Sequence, residues 1–186
     1  IQWHFIGHLQ TNKVRDILKL KPYIIESVDS KRLLHAINTE AEKLGIIQNI
    51  LLEVHVAQEE TKSGFTPNEL TTLLAMDLCA SFPNIRICGL MSMATNTEDE
   101  TEIRRCFSTA ATLASNIQHL TSDIILSMGM SDDYKIAMEY GSNSVRIGSS
   151  IFGEREYPHK PSSFKAIFFD MDGVLFDSMP YHAKAR

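Results

Sequence analysis

The sequence predicts an α/β fold: a (βα)₈ barrel of the TIM type that lacks its first two strands, followed by the first strand of a second α/β domain. Short apolar segments alternate with amphipathic helices, which is typical of parallel strands buried on both faces. The last two apolar segments of this series are each followed by a loop of small residues, where such barrels often bind phosphate. If these are strands seven and eight, two strands lie upstream of Ile1, and we expect a fragment at both ends.

The predicted strands are rich in aliphatic and β-branched residues, and they cover 3–6, 24–28, 50–56, 86–90, 124–127 and 144–147. No G-x-G-x-x-G sequence follows the first of them, which argues against a dinucleotide-binding sheet. Strand and helix alternation therefore favours a barrel over an open sheet of that kind.

The predicted helices are placed by their capping residues, and they cover 30–44, 66–81, 97–119 and 133–141. Ser30 and Gly45 are suited to the two ends of the first, which carries one apolar stripe. The sequences Thr-Pro-Asn-Glu at 66–69 and Thr-Glu-Asp-Glu at 97–100 each match a capping box. Gly141 is expected to end the last helix.

Composition excludes several classes of function. The chain has 186 residues, of which 44% are hydrophobic, and a net charge of −5. An acidic chain with no basic stripe argues against nucleic acid as the main partner. No apolar segment approaches the roughly 20 residues that span a bilayer, so no membrane is expected. The three cysteines lack metal-site spacing and predict reduced, buried thiols of a cytoplasmic protein.

The two small-residue loops, Gly-Met-Ser at 129–131 and Gly-Ser-Ser at 148–150, predict a phosphate site. Backbone N–H groups at adjacent strand ends can bind a phosphate monoester, and Arg146 in the last strand supplies one fixed cation. Each residue also has a simpler interpretation. Both glycines could serve only in turns, Ser131 could only cap a helix, and Arg146 could pair with a carboxylate.

Six segments in order resemble the pyridoxal phosphate homeostasis proteins, the YggS/PROSC family. They are WHFIGHLQTNK at 3–13, YIIESVDS at 23–30, LLEVHVAQEETKSGF at 51–65, GLMSMA at 89–94, LSMGMSDD at 126–133 and VRIGSSIFG at 145–153. The resemblance implies a barrel similar to that of alanine racemase, which binds pyridoxal 5′-phosphate (PLP). It also implies a cofactor carrier that buffers PLP inside the cell or delivers it to PLP-requiring apoenzymes, without a turnover reaction.

The same resemblance implies roles for individual residues. Ser131, Gly148 and Ser149 match the family's phosphate-binding residues, Arg146 the arginine that faces the pyridine nitrogen, and Met91 a residue near the ring. The family's Schiff-base lysine lies on the first barrel strand, which we expect upstream of Ile1. A cation beside the pyridine nitrogen keeps it unprotonated, which weakens PLP as an electron sink and suits a carrier or a racemase.

The pattern changes after Gly153. Residues 154–163 contain two prolines and predict a linker between a barrel at 1–153 and a second domain at 164–186. An apolar strand there ends in Asp170-Met171-Asp172-Gly173, which resembles the first motif of the haloacid dehalogenase superfamily, a Rossmann-like hydrolase. The resemblance implies that Asp170 is the nucleophile, that Asp172 is the general acid/base, and that both hold Mg²⁺. The superfamily's later motifs are absent, so we expect no phosphatase activity from 186 residues.

Two alternatives remain open at this point. The barrel could belong to a PLP-dependent racemase or decarboxylase, although a second β-rich domain with a catalytic tyrosine would then be expected after it. The activity could instead reside in the hydrolase half, as a phosphatase or phosphomutase in the full-length protein.

Overall fold

Six parallel strands form one sheet, in the order in which they occur along the chain. The computed structural model describes residues 1–59, 63–118 and 120–153. Glu26 on the second strand and Ser127 on the fifth are hydrogen-bonded at 2.6 Å. Three strand spacings would separate these strands by about 14 Å in a flat sheet. The sheet therefore curls into a half-barrel, with one concave and one convex face.

The strands are β1 (His4–Phe5), β2 (Ile24–Val28), β3 (Gln48–Val54), β4 (Ile85–Ser92), β5 (Ile125–Met130) and β6 (Ser144–Arg146). All six predicted strands are present, and their bounds differ from the prediction by no more than three residues. The two strands expected upstream of Ile1 stay a prediction. The linker and the strand of the second domain lie outside the described residues.

The helices are α1 (Val14–Lys19), α2 (Lys31–Leu44), α3 (Pro67–Leu74), α4 (Leu78–Ser81), α5 (Glu100–Ser115), α6 (Tyr134–Glu139) and α7 (Ser149–Phe152), and a 3₁₀ turn at Thr11–Lys13 leads into α1. The caps of α2 are confirmed: the Ser30 hydroxyl accepts a hydrogen bond from the Leu33 N–H, and Gly45 is left-handed. Thr66 and Glu69 form the predicted capping box of α3.

Two helix predictions were wrong in detail. The segment 66–81 is two helices, because the Asp77 side chain accepts a hydrogen bond from the Ala80 N–H and starts a new helix. The capping residue of α5 is Asp99, whose carboxylate accepts from the Thr101 N–H, while Thr97 accepts from the Asp99 N–H one turn earlier. Asp77 thus adds a second helix after the one that Thr66 caps, whereas Asp99 takes the capping position predicted for Thr97.

The buried apolar residues form two separate clusters. The larger cluster lies between the convex face and the helices and contains Ile50, Leu52 and Val54 of β3. The smaller one lies on the concave face and consists of Ile24, Leu51 and Met91. Alternate residues of one strand thus point to opposite faces. The concave cluster forms the floor below the polar residues described in the next section.

Strands β4 and β5 lie close together at Gly89, the register partner of Ile125. A Cβ at position 89 would lie 1.8 Å from the Ile125 carbonyl oxygen. No side chain fits there without moving a strand. Gly89 therefore sets the spacing between the strands that carry Met91 and Ser127.

Two further predictions from the sequence can be compared with the structure. Within the described residues, no helix combines the length and the apolar character needed to cross a bilayer. Of the three cysteines, Cys106 is buried, Cys88 is half-buried and Cys79 is exposed. The expectation of buried thiols was therefore wrong for Cys79, which lies on the outer side of the short helix α4.

We expect Gly89→Ala to lower the free energy of unfolding by about 3 kcal/mol or more, because the added methyl group must displace the backbone of β5. Gly45→Ala is the matched control. A Cβ there would meet no atom within 4 Å, and only the left-handed φ of +64° opposes it, at about 1 kcal/mol. Urea denaturation of both variants checks this, and equal losses would contradict the role given to Gly89.

Candidate functional site

Polar side chains gather on the concave face, towards the C-terminal ends of the strands. The buried polar residues of this face include Glu26, Glu53 and Ser127, which come from β2, β3 and β5, and the carbonyl oxygen of Ser92 on β4 lies beside them. Parallel strands bring their carboxyl ends to one edge of a sheet, where ligands of α/β proteins usually bind. This edge is therefore the candidate site.

Arg146 extends from β6 across the neighbouring strands. Its Nη1 donates to the carbonyl oxygen of Ser127 at 2.9 Å and to the Ser127 hydroxyl at 2.8 Å. Its Nη2 donates to the carbonyl oxygen of Ser92 at 2.9 Å. Three hydrogen bonds fix the plane of the half-buried guanidinium and leave its remaining donors for another partner.

The carboxylate of Glu26 is linked to this arginine through Ser127. The Ser127 hydroxyl donates to Glu26 at 2.6 Å, because a guanidinium can only donate and the single hydroxyl proton must point to the carboxylate. The other oxygen of Glu26 is 2.6 Å from Nδ1 of His4. Burial lowers the pKa of Arg146, and the charges of Glu26, Asp133 and Glu53 act in the opposite direction. Glu26 therefore helps to keep the arginine charged.

The two small-residue loops meet at Ser131. The backbone N–H groups of Gly148 and Ser150 both donate to the Ser131 hydroxyl at 3.3 Å. The Ser150 hydroxyl also lies 3.5 Å from the Ser131 carbonyl oxygen. Ser149 is the exposed first residue of α7, between these two donors. The cluster brings small hydroxyl side chains and N–H groups to one exposed rim.

Turn geometry and helix capping are the simpler interpretations of the two glycines and of Ser131, and the structure tests each of them. Gly129 has a φ of +93°, and a Cβ there would lie 2.7 Å from Ala137. Local backbone geometry and packing therefore explain why a glycine occupies this position. Gly148 has a φ of −120°, and a Cβ would meet no atom within 4 Å. Ser131 does not cap α6, whose capping position is Asp133. Gly148 is instead the capping residue of the short helix α7, and the Ser131 hydroxyl accepts from the N–H of Ser150 in the first turn of that helix. A local structural role for both residues therefore stands beside the predicted phosphate contact.

Met91 lies deep in the half-barrel and is 1% exposed. It is the register partner of both Glu53 on β3 and Ser127 on β5. Since Arg146 binds Ser127, the structure places Met91 next to the residue that holds the arginine. Asp170 and Asp172 lie outside the described residues.

Glu53 is a second carboxyl group of the site and is 4% exposed. Burial, followed by the nearby charge of Asp29, raises the pKa of Glu53 to about 7, and Arg146 opposes this rise. Asp29 itself is paired with His8 at 3.3 Å. The site therefore contains a carboxyl group that changes its charge near neutral pH.

Sequence reasoning missed Glu26, Glu53, Ser127 and Ser150. A signal for the first two was present, since each is a single charged residue inside an apolar strand, in IIESV and in ILLEV. A buried carboxylate in a strand needs a partner, so such a position marks the polar interior of a barrel. The strand alternation that assigns both residues to the concave face was also readable from the sequence.

Comparisons with known proteins agree with this architecture. The alanine racemase N-terminal domain family matches residues 2–156. A pyridoxal phosphate homeostasis protein of Helicobacter pylori is 40% identical over 154 residues, which cover 83% of this chain and 68% of that protein. The human protein of the same description is 34% identical over 173 residues and is covered to 62% of its length.

Solved structures with a similar fold include one that has PLP bound. PipY of Synechococcus elongatus with PLP bound is 29% identical, with a TM-score of 0.70, and the match covers 82% of this chain and 71% of that one. Alanine racemase of Clostridium difficile has a TM-score of 0.66 at 15% identity, over 86% of this chain and 41% of that one, and shows the fold alone. The described strands are thus those of an alanine racemase-like barrel, and the chain belongs to the family of pyridoxal phosphate homeostasis proteins.

Proposed function

We propose that this chain binds PLP at the C-terminal edge of its half-barrel and takes part in PLP homeostasis as a cofactor carrier. The observation that carries the proposal is the guanidinium of Arg146, fixed by Ser127 and Ser92 beside the rim of Ser131 and Gly148. Family membership and the PLP-bound structure of PipY support it.

The residues present fit such a cofactor. PLP combines a phosphate, a pyridine nitrogen and an aldehyde, and the aldehyde supplies its reactivity when the cofactor is bound. The Ser131 hydroxyl, which accepts from the N–H groups of Gly148 and Ser150, would donate its proton to the phosphate, and the open space above Gly148 admits that group. Ser149 would contribute from the same loop.

The ring would lie between Met91 and Arg146, with a donor of Arg146 facing the pyridine nitrogen. An arginine there disfavours protonation of that nitrogen, because two positive charges would then be adjacent. An unprotonated ring withdraws electrons weakly. This arrangement supports a carrier more than a transaminase-type enzyme. The PLP-requiring apoenzymes that such a carrier would supply, and a cytoplasmic location, belong to the same proposal.

We further propose that residues 164–186 begin a hydrolase domain of the haloacid dehalogenase type. Asp170 would be the nucleophile and Asp172 the general acid/base, and both would hold Mg²⁺. Only the sequence motif supports this part of the proposal.

We expect Arg146→Ala to weaken PLP binding about 10- to 100-fold, because the variant loses a charge-assisted hydrogen bond to the ring nitrogen. Isothermal titration calorimetry on the protein expressed from its own start codon measures the effect. Arg86→Ala is the matched control, since Arg86 is an exposed arginine at the other end of the strands. Unchanged affinity in Arg146→Ala would refute the assignment.

Ser131→Ala should weaken binding of PLP about tenfold and leave binding of unphosphorylated pyridoxal unchanged, because only the phosphate contacts that hydroxyl. Ser122→Ala, at an exposed position between α5 and β5, serves as the control. The phosphate assignment fails if the substitution weakens both ligands equally.

The lysine that would carry PLP covalently is expected upstream of Ile1. Borohydride reduction of the PLP-loaded protein, followed by peptide mapping, should give one pyridoxylated lysine before that position. Labelling scattered over several lysines would contradict a carrier with one covalent site.

A further inference from the structure

Glu53 points into the half-barrel. Ile50, Leu52, Val54 and Val56 belong to the apolar cluster on the convex face, and Leu51 belongs to the concave cluster. Successive side chains of a strand alternate between faces, so Glu53 extends the concave series that Leu51 begins.

The carboxyl group of Glu53 accepts no hydrogen bond from the described residues although the residue is 4% exposed, whereas both oxygens of Glu26 are bonded, to His4 and to Ser127. The charge of Arg146 acts on Glu53, but no hydrogen bond joins these two side chains. A buried carboxylate is costly unless a donor or a cation reaches it. Nε2 of His55, two residues along the same face, is also buried without a partner in the described chain. Two neighbouring groups, one on β3 and one directly after it, can therefore accept a hydrogen bond from a ligand.

The position of Glu53 selects a part of that ligand. Glu53 is the register partner of Met91, and Met91 is the register partner of Ser127, which holds Arg146. With the ring between Met91 and Arg146 and the phosphate at Ser131, the carboxyl group on β3 would face another ring substituent, which we take to be the one at carbon 4. In the vitamin B6 phosphates, carbon 4 carries an aldehyde, a hydroxymethyl or an aminomethyl group, and only the last is a cation at neutral pH.

We propose that Glu53 makes this site selective for the amine form of the cofactor, a pyridine phosphate with a primary ammonium group such as pyridoxamine 5′-phosphate. The inference rests on the proposed function and adds the chemical class of ligand that the site retains. The ammonium group would donate to the Glu53 carboxylate and to Nε2 of His55. A carrier with this preference would also hold the aminated cofactor.

The preference for the amine should depend on pH, and the charge of Glu53 determines whether it increases or decreases. Below pH 7 its carboxyl is protonated and neutral, because burial and Asp29 raise its pKa to about 7. The aminomethyl group stays cationic to well above that pH, as a lysine amine does. Preference for the amine should therefore increase from pH 6 to pH 8. The other ionisable groups around Glu53 are Asp29, Arg146, His55 and Glu26, and all four are retained in a variant that changes Glu53 alone.

The test compares pyridoxamine 5′-phosphate with pyridoxine 5′-phosphate. The two ligands differ only in an ammonium or a hydroxyl group at carbon 4, and neither forms a Schiff base with a lysine. Calorimetry at pH 8 on the protein expressed from its own start codon should give at least a tenfold preference for the amine. In Glu53→Gln, which keeps the shape and removes the charge, the preference should fall to about twofold or less and lose its dependence on pH.

Glu26→Gln is the matched control, because it removes the other buried carboxylate of the half-barrel. Both its oxygens are already hydrogen-bonded, so both ligands should weaken by the same factor and the preference should persist. Loss of the preference in this control would overturn the assignment to Glu53. Equal affinities in the unsubstituted protein would overturn the inference and leave the proposed function intact. If neither ligand nor PLP binds, the proposed function itself fails.

Discussion

The rest of the site depends on how the half-barrel holds a guanidinium away from water. Arg146 is fixed by Ser127 and by the carbonyl oxygen of Ser92, and Glu26 reaches across from β2 to the same serine. The hydrogen bond between Glu26 and Ser127 can form only if the sheet curls. The same group of hydrogen bonds holds the positive charge of Arg146 inside the half-barrel. A cation placed in this way can orient a ligand without rearranging when the ligand binds.

The two carboxyl groups of the interior have different consequences because their surroundings differ. Glu26 is saturated by His4 and Ser127, and it supports the arginine. Glu53 accepts no hydrogen bond from the described residues, and burial, followed by the nearby charge of Asp29, raises its pKa to about 7. One carboxylate therefore stabilises the unliganded site, while the other favours a ligand that brings its own positive charge.

The close approach of β4 to β5 connects the fold to the site. Gly89 permits the two strands to pack with their backbones almost in contact at Ile125. The same strands carry Met91, Ser92 and Ser127 two or three positions further on. Gly89 thus fixes the spacing of the two strands that carry these three residues.

The sequence by itself determined the strands, most of the helix ends and the residues of the two small-residue loops, because periodicity, capping and turn chemistry act over a few residues. It also placed Arg146 correctly in the last described strand.

Only the tertiary structure decided which side chains meet. The contact of Glu26 with Ser127 joins residues 101 positions apart. That the described residues donate no hydrogen bond to Glu53 depends on the side chains that several strands place around it. Local helix patterns also missed the capping roles of Asp77 and Asp99, whose side chains accept from the N–H groups of Ala80 and Thr101. Contacts between distant segments leave no periodic trace in a single sequence, so the electrostatics of this site could be read only from the fold.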